Sequence, residues 1–270
     1  MMTRPGMSRR FRRLGMPAWA LLVVVSLPVT PTFAPPPPWQ RPPLFVELRY
    51  PAEALAKRVT GAVVVEATTD ARGNVVGAKR LAGPEALAPA VLDNLQQWTL
   101  SRKGGTEHIV FRFEIDPGAC NDDAASFFRL VYPNLAVVTA CTGPGRSAIP
   151  TVLGDVRLAE RAPTTDYPPL ARSASAAGIV VVELSVDPSG AVTSSRALGE
   201  PTLLTQAAAD HTKTWRLLPG TDRRAILVYE FTLDGVHCDP ESQTVLSWVA
   251  ADYVRLTGCP RTIDVGSAGK

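Results

Sequence analysis

The sequence predicts an α+β protein that contains two tandem copies of one small unit, and three observations support this prediction. An ordered set of residues recurs about 117 positions further along the chain. Each copy alternates valine-rich segments, which favour strands, with segments of helical periodicity. Four cysteines form two equally spaced pairs, one near the end of each copy. Each copy is therefore expected to hold three strands, two helices and a disulfide-bracketed β-hairpin.

The internal repeat is too long and too well ordered to be a coincidence. At an offset of 117 positions, the first copy matches the second at Tyr50 with Tyr167, Pro51 with Pro168, Gly61 with Gly178, Glu66 with Glu183, Asp70 with Asp187, Gly73 with Gly190 and Trp98 with Trp215. An insertion shifts the offset to 118, and the matches continue at Phe111 with Tyr229, Phe113 with Phe231, Cys120 with Cys238 and Cys141 with Cys259. Self-similarity at a fixed period indicates duplicated structural units.

The first half of each copy is expected to form a short helix followed by a β-hairpin. A Tyr-Pro pair places proline in the first helical turn, where its missing N–H is not needed. An Asp-x-x-Gly turn joins the two strands, with glycine taking the positive φ that the turn requires. The predicted elements are helices at 51–58 and 168–175, strands at 61–69 and 178–186, and return strands at 75–81 and 192–198.

The second half of each copy is expected to add a helix, a third strand and the cysteine-bracketed hairpin. The helical segments carry apolar residues at helical spacing and end in Trp98 and Trp215. This position favours a core role for the two tryptophans over a binding role. The third strands are predicted at 108–115 and 225–233, and the hairpins at 126–132 with 135–142 and at 244–249 with 253–257.

The N-terminus has the layout of an export signal. Five arginines and no acid lie in the first 34 residues, an apolar stretch covers residues 16–29, and a small-x-small cleavage site ends at Ala34. Residues 1–34 are interpreted as a secretory signal peptide. The alternative is an uncleaved anchor, in which residues 16–34 attach the chain to the inner membrane, although three prolines interrupt this apolar run. Both interpretations place the rest of the chain in the periplasm.

Proline and glycine mark the predicted domain boundaries. Residues 35–43 form a proline-rich linker that is expected to adopt polyproline II. The first copy is assigned to 44–145, the second copy with the inter-repeat linker to 146–262, and a tail to 263–270. The connection between the copies contains one further predicted strand, at 152–158.

Composition and motifs exclude several classes of function. The formal net charge is +3, but the first 34 residues account for this excess, and the remainder lacks the basic face that a nucleic-acid binder needs. Walker, Gly-x-Ser-x-Gly and His-Glu-x-x-His motifs do not occur. The histidines, His108, His211 and His237, do not match between the copies. We therefore predict a non-enzymatic protein without a cofactor.

The four cysteines are interpreted as structural disulfides, because an even number in an exported chain is typical of disulfides. Each neighbouring pair is separated by 21 positions, which favours Cys120 with Cys141 and Cys238 with Cys259. Metal binding is the alternative. It is disfavoured because the sequence has no Cys-x-x-Cys pair and no histidine at ligand spacing, so no metal site is predicted.

The ordered motifs of each copy resemble the TonB C-terminal domain. The resemblance rests on Tyr-Pro, Gly-x-Val-Val-Val-Glu, Asp-x-x-Gly-x-Val, a helix that ends in Trp, and an aromatic third strand, and it covers residues 50–115 and 167–233. It implies a small α+β unit in the periplasm, with an antiparallel three-stranded sheet and two helices. Such a unit captures a partner peptide by β-strand addition. The cysteine-bracketed hairpins are not part of the usual family pattern.

The resemblance also implies where a partner binds. In this family the edge of the third strand receives an extended peptide from an envelope protein or an outer-membrane receptor. Carried over to this sequence, the partner-binding residues are Val110, Phe111, Arg112, Phe113, Val228, Tyr229, Glu230 and Phe231. The hairpin directly follows this strand, however, and an alternative is that it folds back and covers the edge.

Two other functions stay open at this point. One is a true energy transducer, anchored in the inner membrane and docking on outer-membrane transporters. Residues 1–40 lack the histidine that the membrane helix of such transducers carries, and residues 35–43 are too short for their long spacer. The other is an envelope enzyme that acts through surface chemistry, although neither copy contains a nucleophile–base set.

Three pairs of matched polar residues admit both a structural and a functional interpretation. Tyr50 and Tyr167 are expected to pack at the start of a helix rather than to contact a partner. Glu66 and Glu183 lie on predicted strands and are interpreted as solvent-facing rather than as catalytic residues. Asp70 and Asp187 lie in predicted turns and are interpreted as turn-forming rather than as calcium ligands.

Overall fold

The computed structural model describes residues 44–116, 126–141, 163–199, 202–220, 223–234, 244–250 and 252–259, all within one compact unit, Pro38–Lys270. Several predictions concern residues outside these ranges. They are the targeting segment at 1–34, the linker at 35–43, the strand at 152–158, the tail at 263–270, and the positions of Cys120, Cys238 and His237.

The two copies contain the same elements in the same order. The first copy comprises α1 (Ala52–Ala56), β1 (Gly61–Thr69), β2 (Val75–Ala82), α2 (Ala88–Leu95), β3 (Gly105–Ile115), β4 (Ser126–Tyr132) and β5 (Leu135–Ala140). The second copy comprises α3 (Pro169–Ser173), β6 (Gly178–Val186), β7 (Val192–Leu198), α4 (Thr202–Lys213), β8 (Arg223–Leu233), β9 (Thr244–Ala250) and β10 (Tyr253–Gly258). Two helices in each copy were predicted, and both are present.

Each copy forms one five-stranded mixed sheet, which corrects the predicted three-stranded antiparallel sheet. The strand orders are β2-β1-β3-β5-β4 and β7-β6-β8-β10-β9. The added hairpin folds back onto the third strand, as the alternative interpretation proposed. Its second strand runs parallel to the third strand, so β3 pairs with β5 and β8 with β10 in parallel register. A hairpin that follows a strand directly can extend the sheet in this way without a crossover helix.

The two faces of each sheet serve different purposes, because successive side chains of a strand point to opposite sides. On β1, Val63 and Val65 point into a core that is closed by the helices, whereas Ala62 and Val64 point toward the other copy. This explains why β1 is apolar on both faces, as is usual for a strand covered on both sides.

The two sheets pack against each other through their helix-free faces, which we call the inner faces. Ten buried residues form this contact: Ala62, Val64, Val110, Leu135 and Val137 from the first copy, and Ile179, Val181, Leu198, Val228 and Tyr253 from the second. The helices cover the outer faces, where α2 and α4 contribute to separate cores. The protein is thus a sandwich of two sheets with helices on both outer sides.

Each helix-side core is built around one large aromatic residue. Trp98 and Trp215 are buried with 1% and 0% of their surface exposed, so the predicted core role is confirmed. Both lie just beyond the end of their helix, α2 or α4, rather than in its last turn. They contact the third strand through Phe111 and Tyr229, with ring centroids 5.2 and 6.0 Å apart.

The Asp-x-x-Gly turns adopt the predicted conformation. Gly73 and Gly190 have φ of +91° and +88°, in the left-handed region that favours glycine. A Cβ on Gly73 would lie 2.4 Å from the Leu100 carbonyl oxygen, and one on Gly190 would lie 2.0 Å from that of Leu217. Both the positive φ and the close approach of a second chain segment therefore require glycine.

The cysteines that fall within the described residues are oxidised. Cys141 and Cys259, which follow β5 and β10, are disulfide-bonded. Their predicted partners lie outside the described ranges, so the pairing of Cys120 with Cys141 and of Cys238 with Cys259 stays a prediction.

Candidate functional site

The predicted binding segments, residues 110–113 and 228–231, lie on inner strands rather than at a sheet edge. β3 pairs with β1 on one side and with β5 on the other. β8 lies in the same way between β6 and β10. Along these segments the strand therefore has a neighbour on both sides, and no partner strand can add there while the hairpin is in place.

The side chains of the predicted segments are also buried. Four aromatic residues face the helix-side cores, and the other four residues face the opposite copy. The buried set is Val110, Phe111, Arg112 and Phe113 in the first copy, with Val228, Tyr229, Glu230 and Phe231 in the second. Strand addition at these residues stays a prediction, and it requires the hairpin to leave.

The hairpin is held firmly in that position. The Val110 N–H donates to the Asn134 carbonyl at 2.9 Å, and the Asp116 N–H donates to the Ala140 carbonyl at 3.1 Å, at the two ends of the shared ladder. Every residue of β5 is buried. Releasing β5 would expose an entire apolar strand to water, so the hairpin is an integral part of the sheet.

A tyrosine at the start of each copy also anchors the hairpin. The Tyr50 N–H donates to Ser126 Oγ at 3.3 Å, and the Tyr167 N–H donates to Thr244 Oγ1 at 2.9 Å. The hydroxyls donate to the carbonyls of Val59 and Ala176, just after each short helix. Burial raises the pKa of Tyr167 to about 12 and that of Tyr50 further still, so both hydroxyls stay protonated donors. Both tyrosines pack at the start of a helix, as expected.

The outer edges of the two sheets are therefore formed by β4 and β9, with β2 and β7 at the opposite edges. Native proteins protect such edges with charged side chains, because unpaired backbone groups recruit other strands. β2 carries Lys79 and Arg80, β4 carries Arg129, and β7 carries Arg196. Among these four described edge strands, β9 alone has no charged residue and no proline.

The backbone of β9 alternates between groups that pair with β10 and groups that point away. The Val228 N–H donates to the Asp252 carbonyl, so the even-numbered residues of β10 bond to β8 and the odd-numbered ones to β9. Arg255 pairs with Ser247, which places the neighbouring N–H and C=O groups of Leu246 and Trp248 on the outward side. An added strand would bond at these two residues.

A groove of about 520 Å³ lies on the inner face beside this edge. Its walls come from β8, β9 and β10, and its lining includes Val245, Ser247, Arg255 and Thr257. Val245 borders this groove and is 36% exposed. Side chains of a strand added to β9 would alternate between this groove and the helix side.

The first copy differs from the second at the equivalent edge. Arg129 of β4, which is exposed, pairs with the buried Val137 of β5. At the equivalent positions 118 residues later, Ser247 lies on the edge strand and Arg255 on the inner strand. The positive charge has thus moved inward by one strand in the second copy, and this leaves its edge uncharged.

Comparison with protein families identifies the core of the second copy. Residues 163–232 match the family model described as Gram-negative bacterial TonB protein C-terminal. Residues 163–232 form a TonB C-terminal domain. No curated protein and no solved structure matches the chain. The first copy has the same elements and the same strand order, so the protein contains two similar domains in tandem.

The family match also separates the TonB core from its addition. The matched range ends at Thr232, one residue before the end of β8. The hairpin β9–β10 lies beyond it, and so does the uncharged edge. TonB C-terminal domains are non-enzymatic interaction modules of the cell envelope. The TonB-like part of the second copy therefore supports a sheet extension that the family model does not cover.

Two features of these domains were not recognised in the sequence. One is the uncharged edge strand β9. Its signal in the sequence was that residues 244–250 contain no charged residue, whereas the equivalent segment of the first copy contains Arg129. The other is an ion pair between the copies, in which Arg112 Nη1 lies 2.8 Å from Glu230 Oε2. Its signal was the opposite charge at two equivalent positions.

The other polar residues considered above have structural surroundings. The hydrogen bond from Asn74 Nδ2 to Asp70 Oδ2 lowers the pKa of Asp70, and the backbone N–H groups of Arg72 and Asn74, which Oδ1 accepts within the turn, act in the same direction. Glu183 Oε2 on β6 lies 2.7 Å from Arg196 Nη2 on the neighbouring strand β7. Within the described ranges, no group of three or more His, Cys, Asp and Glu side chains is arranged to hold a metal ion. No helix in those ranges is both long and apolar enough to cross a membrane.

Proposed function

We propose that this protein is an exported, non-enzymatic interaction module of the cell envelope that binds a partner by strand addition at β9 of the second copy. The observation that supports this most directly is the uncharged outer edge of β9 beside a groove. In the second copy, β10 pairs with β8 and so fills the edge that the family resemblance indicated. The new edge of the sheet is β9, two strands further out.

The proposed partner is an extended segment of an envelope protein or an outer-membrane receptor. Domains of this family typically bind outer-membrane receptors, which supports that class of partner. The backbone groups of Leu246 and Trp248 would provide affinity, and the groove side chains Val245 and Ser247 would select alternate residues of the added strand.

The energy-transducer alternative is disfavoured by the same arrangement. A transducer that binds its receptor at the third strand needs that edge open, and β5 and β10 fill it in the two copies. Residues 1–40 contain no histidine, and the proline-rich linker at 35–43 is short, which also departs from the transducer pattern.

Photo-crosslinking in the native envelope tests the proposed edge. A benzoylphenylalanine at Val245 of β9 is compared with one at Val76, which is 64% exposed on the opposite edge strand β2 of the first copy. We expect an adduct of defined mass from position 245 and none of that mass from position 76. Identical adducts from both positions, or none from position 245, would contradict the proposal.

A matched pair of charge variants locates the interaction further. Ser247→Arg introduces on β9 the charge that β4 already carries at Arg129, and Arg129→Ser makes the reciprocal change. We expect Ser247→Arg to lower the yield of the position-245 adduct at least tenfold, because the charge protects the edge. Arg129→Ser should leave that yield unchanged. Equal yields in both variants would move the binding site away from β9.

A further inference from the structure

The contact between the copies contains a buried ion pair at equivalent positions of the repeat. Arg112 on β3 and Glu230 on β8 lie 118 residues apart, the same offset as the flanking aromatic residues. Both face inward, and they are only 5% and 3% exposed. The duplicated position therefore carries opposite charges in the two copies, and the structure brings these charges together.

The pair belongs to a fully connected network. Arg112 Nη1 donates to Glu230 Oε2 at 2.8 Å and to the Tyr253 hydroxyl at 3.1 Å. The same carboxylate oxygen accepts the Tyr253 hydroxyl at 2.8 Å and the Arg255 Nε at 3.0 Å. Glu114 accepts the Arg112 Nε. Two guanidinium groups and two carboxylates balance in charge, which is what a buried ionic cluster requires.

The network is surrounded by apolar residues with no charge of their own. Val64, Val110 and Val137 of the first copy pack here against Val181 and Val228 of the second. Apolar contact alone does not discriminate between a first-copy and a second-copy partner. The polar groups do. Arg112 lies beside Glu114 on the first-copy face, and Glu230 lies beside Arg255 on the second-copy face. Asn134 and Tyr132 of the first copy donate to the Ile179 and Phe231 carbonyls of the second. A first-copy face on its like would bring Arg112 against Arg112 instead of Glu230.

We propose that Arg112 and Glu230 make the inner face of each copy specific for the inner face of the other copy. A first-copy face against its like places Arg112 against Arg112, and a second-copy face against its like places Glu230 against Glu230. Each like pairing loses the ion pair between the copies and brings like charges together, which opposes association. The occupant of each face is therefore the other copy, normally within the same chain. The network keeps duplicated, nearly self-complementary faces from stacking between chains.

Full-length charge-reversal variants test this specificity. In Arg112→Glu every pairing of the inner faces brings acid against acid, and in Glu230→Arg every pairing brings arginine against arginine. We expect each variant alone to unfold at a urea midpoint lower by about 1 M or more than the wild type. The control Arg129→Glu makes the same charge change at an exposed position and should leave the midpoint unchanged.

Mixing the two variants supplies the decisive measurement. The first-copy face of the Arg112→Glu chain, now acidic, then fits the second-copy face of the Glu230→Arg chain, now basic, and the two unchanged faces also match. Co-refolding at equal concentrations should give a complex of twice the 28.9 kDa chain mass, measured by light scattering. Wild type refolded with either variant should give no such complex, because the wild-type chain closes on itself.

A double variant in one chain keeps the proposal testable if the single variants fail to fold. Arg112→Glu combined with Glu230→Arg inverts the ion pair, and the network with Glu114 and Arg255 stays neutral. The double variant should be monomeric. Its urea midpoint should recover more than half of the decrease that the single variants show. The proposal is overturned if the double variant recovers nothing, if the mixture stays monomeric, or if either single variant forms a stable dimer with itself.

Discussion

The two copies have the same strand order, yet their outer edges carry different surfaces. In the first copy Arg129 projects from the edge strand, and in the second copy the arginine lies one strand further in, at Arg255. There it joins Glu230 in the contact between the copies. One duplicated fold thus holds a protected edge and an uncharged edge, so the fold alone does not determine where a partner can bind.

The helix-side cores differ in a similar way around their equivalent tryptophans. The Trp98 Nε1–H donates to Asn94 Oδ1 at 2.9 Å and to the Val46 carbonyl at 3.2 Å. Trp215 Nε1 is buried and has no hydrogen-bond partner among the described residues. His211 stands where the first copy has Asn94, and it bonds instead to the Tyr229 hydroxyl and the Pro163 carbonyl. The same packing therefore tolerates different polar partners.

The largest expected effect concerns a feature that the copies share. Gly73→Ala and Gly190→Ala should each lower the free energy of unfolding by about 2–3 kcal/mol, because each Cβ meets a backbone carbonyl at positive φ. Urea unfolding measures both values. Gly77→Ala is the control, since its Cβ meets nothing closer than 3.8 Å. A large effect in one copy only would show that the two turns are not equivalent.

A smaller effect should separate the two cores. Trp98→Phe and Trp215→Phe remove similar apolar volume, but only the first removes two hydrogen bonds and leaves Asn94 Oδ1 without its buried donor. We expect Trp98→Phe to cost about 1–2 kcal/mol more than Trp215→Phe. Chemical unfolding of the two variants at the same pH measures the difference. Equal losses would mean that the hydrogen bonds of Trp98 contribute little.

The smallest expected effect concerns acid sensitivity at the contact between the copies. Burial lowers the pKa of His108 below its ordinary value of 6.5, and Glu66 Oε2, 3.6 Å from Nε2, opposes this shift only in part. The unfolded chain then binds a proton at higher pH than the folded chain, so the stability decreases as pH falls below about 6.5. Glu183 and Arg196 also act on this group.

The second copy provides the substitution that tests this dependence. His108→Ile introduces the residue found at the equivalent position, Ile226. The loss of stability between pH 7.5 and pH 5.5 should be about 1 kcal/mol smaller in this variant than in the wild type. His211, whose pKa burial also lowers, keeps its own contribution in both proteins. An unchanged pH profile would show that His108 is not responsible.

Much of the secondary structure could be predicted, because local patterns encode it. Valine-rich runs that begin at glycine predicted β1 and β6 with the bounds that the structure shows, and the bounds predicted for β7 and β4 also match. The position of the hairpin was harder, because pairing β5 with β3 depends on which sheet edge is open. The predicted site residues followed the family pattern, in which no hairpin covers the third strand.

The sequence by itself determined the duplication, the order of helices and strands, and the turns that need Gly73 and Gly190, since each depends on residues close together in the chain or on a repeated pattern. Only the tertiary structure decided which sheet face meets which, and it alone placed Arg112 against Glu230 and left β9 as the uncharged edge. Those outcomes depend on contacts between residues far apart in the chain, more than a hundred positions in the case of the ion pair. The alternation of side chains along a strand predicts which residues share a face, but it does not predict which other part of the protein covers that face.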